Sequence, residues 1–312
     1  MRRGLFSEAP PFTQLIFTVF TMMVSALLFM FIAILFAPLF VGISLPDIIA
    51  IMNNGEMNHH LGLMRYIQTM QGITLFILPA FFLAYLFSGN VTVYFGFRNP
   101  FPKRWLLMVL FVMITVIPLI NLLAKLNDQI SFPESLSFLE RNFRSSEDAA
   151  RNASDLFLST TSIYGLFFNI LMIALIPAIG EELIFRGIIQ KIFVKWTGNI
   201  HIAIVISSLL FSAMHLQFYG IFPRWLLGIM FGYLLAWSGS IWLPVFAHFI
   251  NNAVIAIVGY LTHKGHIPVE AAEYGSSWSA IPVTLAMTAV CILLLWKMKR
   301  ESARIVPLKR PD

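Results

Sequence analysis

The sequence contains few charged residues. Only 12% of its 312 residues are Asp, Glu, Lys or Arg, whereas a soluble domain carries about 25%. Apolar residues make up 58%, and the mean hydropathy is +0.80. The apolar runs are too long and unbroken for membrane β-strands, which alternate over about ten residues. The composition therefore predicts an all-α polytopic membrane protein.

Cysteine is almost absent. Cys291 is the only one, which excludes an intramolecular disulfide. It lies in an apolar run with no nearby base, so a thiol nucleophile is not indicated. The formal net charge of +6 does not indicate nucleic-acid binding. The distribution of the basic residues indicates instead how the chain is oriented in the membrane. The expected surroundings are a lipid bilayer, with no nucleic acid as partner.

The apolar runs predict about eight transmembrane helices. The first run is longer than the apolar part of a cleaved signal and has no small-residue cleavage site after it, so we expect it to be retained. No internal repeat is present, and the one sizeable hydrophilic segment, 125–155, is expected at the membrane surface. The predicted spans are 12–41, 66–87, 105–124, 156–196, 200–218, 225–237, 241–261 and 277–296.

The basic residues predict the orientation of these spans. Eight spans place both termini on one side of the membrane. With that side cytoplasmic, 13 Lys and Arg fall inside and 7 outside, with Arg186 counted as intramembrane. This is the positive-inside pattern. It predicts a multi-pass protein of the bacterial cytoplasmic membrane with both termini cytoplasmic, although the endoplasmic reticulum would show the same pattern.

Two adjacent carboxylates, Glu181 and Glu182, follow the uncharged run 156–179. Ionisable groups at membrane depth are costly and therefore mark candidate functional sites. Glu182 and Arg186 stand four residues apart with the acid first, the favourable order for a helical ion pair. Glu181 is rotated about 100° away from Glu182. We therefore expect one carboxylate to be held by Arg186 and the other to be available for chemistry; structural ion pairs at a helix end are the alternative.

Three other polar side chains lie deep in apolar segments: His215, His248 and Asn252. His248 and Asn252 share one helix face by their i, i+4 spacing. Counted from the turn near Thr197, Glu181 and His215 both lie roughly 25 Å away in an antiparallel hairpin, which predicts that they meet. The alternative for each histidine is a hydrogen bond to a neighbouring helix.

This set of residues predicts hydrolysis of a carbonyl compound. Glu181 with His215 could take a proton from a water, which then attacks the carbonyl carbon. His248 and Asn252 are donors that could face the resulting oxyanion. Arg186 would keep Glu182 ionised and fix the helix around Glu181.

Three motifs in order resemble those of the CAAX protease and bacteriocin-processing (CPBP/Abi) family. They are Glu181-Glu182-x-x-x-Arg186, Phe211-x-x-x-His215 and His248-x-x-x-Asn252, within about residues 163–260. The resemblance implies an intramembrane glutamic endopeptidase, a CAAX-type hydrolase that needs no metal or other cofactor. By it, Glu181 and His215 activate water, and His248 and Asn252 form the oxyanion site. The expected partner is a membrane-associated or lipidated protein or peptide, prenylated or not.

On this interpretation the chain divides into three regions. They are an N-terminal three-span region (1–155), the protease core (156–262), and the last span with its basic tail (263–312).

Three alternative functions stay open. A zinc protease would use the same residues, but H-E-x-x-H is absent; a proton-coupled transporter would often show a repeat. The family also contains members whose role does not require proteolysis, so a non-catalytic scaffold or bacteriocin-immunity protein is the third.

Overall fold

The fold is helical throughout the residues that a computed structural model describes, which are 3–268, 270 and 273–305. The prediction of an all-α polytopic membrane protein is confirmed. Arg2 and the end of the basic tail, 306–312, lie outside the described residues. The helices are α1 Pro11–Val41, α2 Leu45–Asn53, α3 Leu61–Ser88, α4 Val91–Phe95, α5 Arg104–Asp128, α6 Ser137–Leu158, α7 Ile163–Thr197, α8 Ile200–Ala213, α9 Ile221–Ser238, α10 Trp242–His263 and α11 Ile281–Ile305.

Seven of these helices are long and apolar enough to cross a membrane, counted within the described part of the chain: α1, α3, α5, α7, α9, α10 and α11. The predicted span 200–218 is wrong at its end. Helix α8 has only 14 residues, about 21 Å, and stops at Ala213. The chain leaves the helix there because Leu216 adopts a left-handed backbone with φ of 54°. The loop 214–220, called here the His215 loop, connects α8 to α9.

The described chain ends lie at the same end of the helix bundle. Near the N-terminus, the Phe6 amide donates to the Leu86 carbonyl, and Lys195 donates to the Ala9 carbonyl. Near the C-terminus, Glu301 pairs with Arg104. These contacts gather the ends of α3, α7 and α11 and the start of α5. The opposite end of the bundle carries α6 and the His215 loop.

Helix α7 changes its hydrogen bonding twice. Ile170–Leu175 and Phe185–Ile189 are π-helical, a form found mostly as single turns and often at functional sites. The first of these turns comes directly before Pro177, which lacks an amide hydrogen. The wide turn lets α7 continue past the proline to the two glutamates and Arg186.

Two glycines on α9 allow very close packing against α7 and α8. A Cβ atom at Gly228 would lie 2.9 Å from the Ser208 Cβ atom, and one at Gly232 would lie 2.8 Å from the Gln190 Oε1 atom. These two glycines form a G-x-x-x-G sequence, and the face of α9 that carries them is the packing surface. With no side chains in the way, α7 residues can reach the carbonyl oxygens of α9.

Candidate active site

The site is built around a fully buried ion pair between Glu182 and Arg186. Arg186 Nη1 donates to Glu182 Oε1 at 2.9 Å, and neither side chain has any exposed surface. Arg186 Nη2 also donates to the Gly228 carbonyl at 3.1 Å. The guanidinium carbon lies 4.4 Å from the centroid of the Phe211 ring and 5.4 Å from that of Phe231. The charge is thus compensated by one carboxylate, one carbonyl and two aromatic rings.

His248 lies between the two carboxylates. Its Nδ1 atom is 2.9 Å from Glu182 Oε1, and its Nε2 atom is 3.9 Å from Glu181 Oε2. The imidazole stacks on Phe231 with the ring centroids 5.2 Å apart and meets Phe211 edge-on at 5.9 Å. Glu182 Oε1 therefore joins Arg186 to His248, and the aromatic rings fix the plane of the imidazole.

Glu181 has a different environment from its neighbour. Its side chain is 14% exposed, and its one recorded ion-pair partner among the described residues is His248. Arg186 pairs with Glu182, as their four-residue spacing predicts. The two carboxylates therefore differ in the structure: Glu182 is ion-paired and fully buried, whereas Glu181 is partly exposed.

His215 lies in the loop after α8 and not within a helix. Its Nδ1 atom is 2.9 Å from the Phe211 carbonyl oxygen, and its ring meets the Phe211 ring edge-on at 5.2 Å. Desolvation lowers the pKa of the ring, and the Glu181 carboxylate raises it by a smaller amount. The described residues contain no hydrogen bond between His215 and Glu181. The sequence placed these two residues side by side, but α8 ends early and His248 lies closer to Glu181.

Asn252 connects α10 to the proline turn of α7. Its Nδ2 donates to the Ile173 carbonyl at 3.2 Å, and its Oδ1 accepts from Asn251 at 3.0 Å. Ile173 is four residues before Pro177, so the residue that would normally donate to this carbonyl has no N–H. Asn252 supplies a replacement donor. Its position is explained by helix geometry as well as by any role in catalysis.

Within the described ranges no three His, Cys, Asp or Glu side chains are arranged to hold a metal ion. Glu182 Oε1 is hydrogen-bonded to Arg186 and His248.

The sequence reasoning missed several residues of this site. Phe231 and the Gly228 carbonyl, which contact His248 and Arg186, carry no signal that spacing could have revealed. Arg224 could have been noticed as a cation at the start of a span. It is half-buried in α9, and its Nη1 and Nη2 atoms donate to Gln217 of the His215 loop, each at 2.7 Å.

Three relatives from Bacillus subtilis match part of this chain. The uncharacterised protein YpbD is 34% identical over 95 residues, the sporulation-killing factor biosynthesis protein SkfC 39% over 85, and YdiL, which is provisionally named a membrane peptidase, 33% over 89. These matches cover 28%, 25% and 28% of this chain, and 44%, 17% and 36% of the relatives. The chain thus matches less than half the length of each. No solved structure matches it significantly.

A family model matches the part of the chain that holds the site. It is the model of the type II CAAX prenyl endopeptidase Rce1-like family, and the matched residues are 163–254. This range runs from the start of α7 into α10 and includes all seven named residues of the three motifs. The resemblance to the CAAX protease and bacteriocin-processing family is therefore confirmed over residues 163–254.

Proposed function

We propose that this protein is a membrane endopeptidase that hydrolyses peptide bonds of membrane-associated or lipidated proteins or peptides. The observation that carries the proposal is the position of Glu181, an accessible carboxylate 3.9 Å from His248 Nε2 beside a sealed ion pair. The family match and the name of YdiL support a membrane peptidase. The glutamic mechanism and the substrate class are our inference from the residues.

The tautomer of His248 follows from its contact with Glu182. A carboxylate can only accept, so the Nδ1–H of the imidazole donates to Glu182 Oε1. In the neutral ring Nε2 is then an acceptor that faces the Glu181 oxygen. Two acceptors cannot hydrogen-bond to each other, and their separation of 3.9 Å lets one water molecule donate one hydrogen to each of them. The nucleophilic water of our proposal is placed there.

The proposed reaction moves one proton through Glu181. Its carboxylate takes a proton from the water, and the hydroxide oxygen bonds to the peptide carbonyl carbon while the carbonyl electron pair moves to oxygen. The protonated Glu181 then gives its proton to the amide nitrogen as the C–N bond breaks. The products are a carboxylic acid and an amine, and Glu181 is restored.

The histidines and Asn252 assist this step in our proposal. Before the attack, His248 takes a proton from solvent at Nε2, and it keeps this proton through the turnover while donating a hydrogen bond with it to the oxyanion. Asn252 has a second amide hydrogen besides the one that it donates to Ile173. His215 assists Glu181 in activating the water, and the negative charge of Glu181 acts on its ring. No metal takes part.

The experiment that tests the function is cleavage of reporter peptides by the purified protein in lipid nanodiscs. Cleavage that persists after exhaustive chelation is expected, because a carboxylate needs no metal to activate water. Loss of cleavage with the chelator would indicate a zinc enzyme instead. No cleavage of any membrane-associated reporter would favour the scaffold or immunity role.

His248 and Asn252 should affect the rate more than substrate affinity. Removing one oxyanion donor typically costs about 100- to 1,000-fold in turnover. His248→Ala is therefore expected to lower kcat by this factor with KM within a few-fold. Asn252→Ala is expected to lower kcat and also the melting temperature, because the Ile173 carbonyl loses its donor. Single-turnover rates and melting curves on the same samples check both. An unchanged rate with lowered stability for Asn252→Ala would show that Asn252 only links two helices through a hydrogen bond and takes no part in catalysis.

We also propose that the bundle end carrying the two described chain ends is cytoplasmic. It holds Arg98, Lys103, Arg104, Lys191 and Lys195, and positive charge is retained on the cytoplasmic side. The relatives are bacterial, which favours the bacterial cytoplasmic membrane. Reporter fusions after Arg104 and Lys299 should both report the cytoplasm, and a periplasmic signal from either would reverse the assignment.

A further inference from the structure

We propose that the surface helix α6 and Arg224 form a positioning device for His215, with Ser146 and Arg224 as its central residues. This inference rests on the proposed peptidase function. None of the three motifs contains either residue. Its basis is that the loop carrying His215 is held from two sides by residues that do not touch the reacting atoms.

The backbone next to His215 is strained. Leu216 has a φ of 54°, the only positive φ of a residue other than glycine among the described residues. Leucine rarely adopts this conformation, and strained residues persist only where their surroundings hold them. Ser146 on α6 supplies a restraint, since its Oγ donates to the Leu216 carbonyl at 3.0 Å. The bond acts one residue away from His215.

Helix α6 also holds the far end of the loop. The Tyr219 hydroxyl donates to Glu140 Oε1 at 3.3 Å, and the Arg144 guanidinium carbon lies 4.1 Å from the centroid of the Tyr219 ring. The Phe143 ring stacks on Phe218 with centroids 5.3 Å apart. An amphipathic helix on the membrane surface is thereby tied to the loop that enters the site.

Arg224 holds the loop from the side of the bundle. Its Nη1 and Nη2 atoms donate to the side-chain oxygen and the carbonyl of Gln217. The guanidinium also packs on Gly220, where a Cβ atom would lie 2.4 Å from Nη2. Together with the α6 contacts, this restrains every residue from 216 to 220. A loop restrained at each position presents His215 in a single orientation.

The test is the substitution Ser146→Ala, with Ser145→Ala as the matched control. Ser145 is exposed and lies on the same helix, and its side chain makes no hydrogen bond within the described part of the chain. Alanine is the best helix former, so neither change should destabilise α6. Ser146→Ala is expected to lower kcat about tenfold with KM and melting temperature unchanged, because small misplacements of a catalytic group are costly. Ser146→Thr keeps the hydroxyl and should restore most of the rate.

The outcomes distinguish a failure of this inference from a failure of the proposed function. Equal kcat for Ser146→Ala, Ser145→Ala and wild type overturns the positioning role, as does a change confined to KM. Glu181→Gln is assayed in parallel. If that variant is inactive while Ser146→Ala is normal, the function stands and the positioning device fails. If Glu181→Gln cleaves like wild type, the proposed function itself fails. Arg224→Lys, which retains charge but loses the two-pronged contact with Gln217, is expected to reproduce the loss of kcat.

Discussion

Replacing Glu181 by glutamine is expected to lower the single-turnover cleavage rate about 100- to 10,000-fold, the usual contribution of a general acid–base. Glutamine has nearly the same shape but cannot take a proton from water. The Glu181 side chain forms no ion pair with Arg186 in the described structure, and its Oε2 atom lies 3.9 Å from His248 Nε2. The substitution therefore removes little structural support. The measurement is cleavage by purified protein under single-turnover conditions, with the melting temperature recorded on the same sample.

Glu56→Gln is the matched control for this experiment. Glu56 is exposed, and its side chain has no hydrogen bond or ion pair among the described residues, so the same chemical change should leave both rate and stability at the wild-type level. A Glu181→Gln protein that retains more than a tenth of the wild-type rate would contradict the role of Glu181 as the base. A large fall in melting temperature would mean that the carboxylate is structural.

Replacing Glu182 by glutamine is expected to act on folding. The change removes the negative charge that Arg186 and His248 share and leaves a fully buried guanidinium without its counter-ion. Breaking a buried ion pair in this way costs about 3–5 kcal/mol. The expected result is a low yield of folded protein and a melting temperature well below that of Glu181→Gln. Size-exclusion profiles and melting curves in the same detergent make the comparison.

Two further variants test whether the unpaired charge is the cause. Arg186→Met added to Glu182→Gln removes the stranded cation, so the double variant should be more stable than Glu182→Gln alone. Glu8→Gln makes the same change in the exposed pair with Arg3 and should have no measurable effect. Equal stability of Glu181→Gln and Glu182→Gln would refute the division between the two carboxylates.

The sequence predicted those features of the site that depend on one helix. The pairing of Glu182 with Arg186 follows from a four-residue spacing, and the helical class follows from the apolar runs. The spacing of Gly228 and Gly232 is likewise typical of a packing face, because close approach needs small residues. In each case the residues that determine the feature lie close together in the sequence.

Contacts between distant elements could not be predicted in the same way. Helix α8 ends at Ala213, and the loop that follows is contacted by Ser146, which lies some 70 residues earlier in the chain than Leu216. The contact of His248 with both glutamates depends on how far α10 is shifted along α7, and hydropathy does not define that shift. The donation from Asn252 to Ile173 joins α10 to α7. Pro177 explains it, because a proline leaves that carbonyl without its usual donor.

The shortness of α8 has a consequence for the surrounding lipid. A hydrocarbon core of about 30 Å is not matched by a helix of about 21 Å, so roughly 9 Å of depth beside α8 must be met by a thinned bilayer or by water. His215 lies directly beyond the end of this helix. Each peptide bond that is hydrolysed consumes one water molecule, which has to come from outside the hydrocarbon. On the proposed function, we infer that water approaches Glu181 from beyond the end of α8.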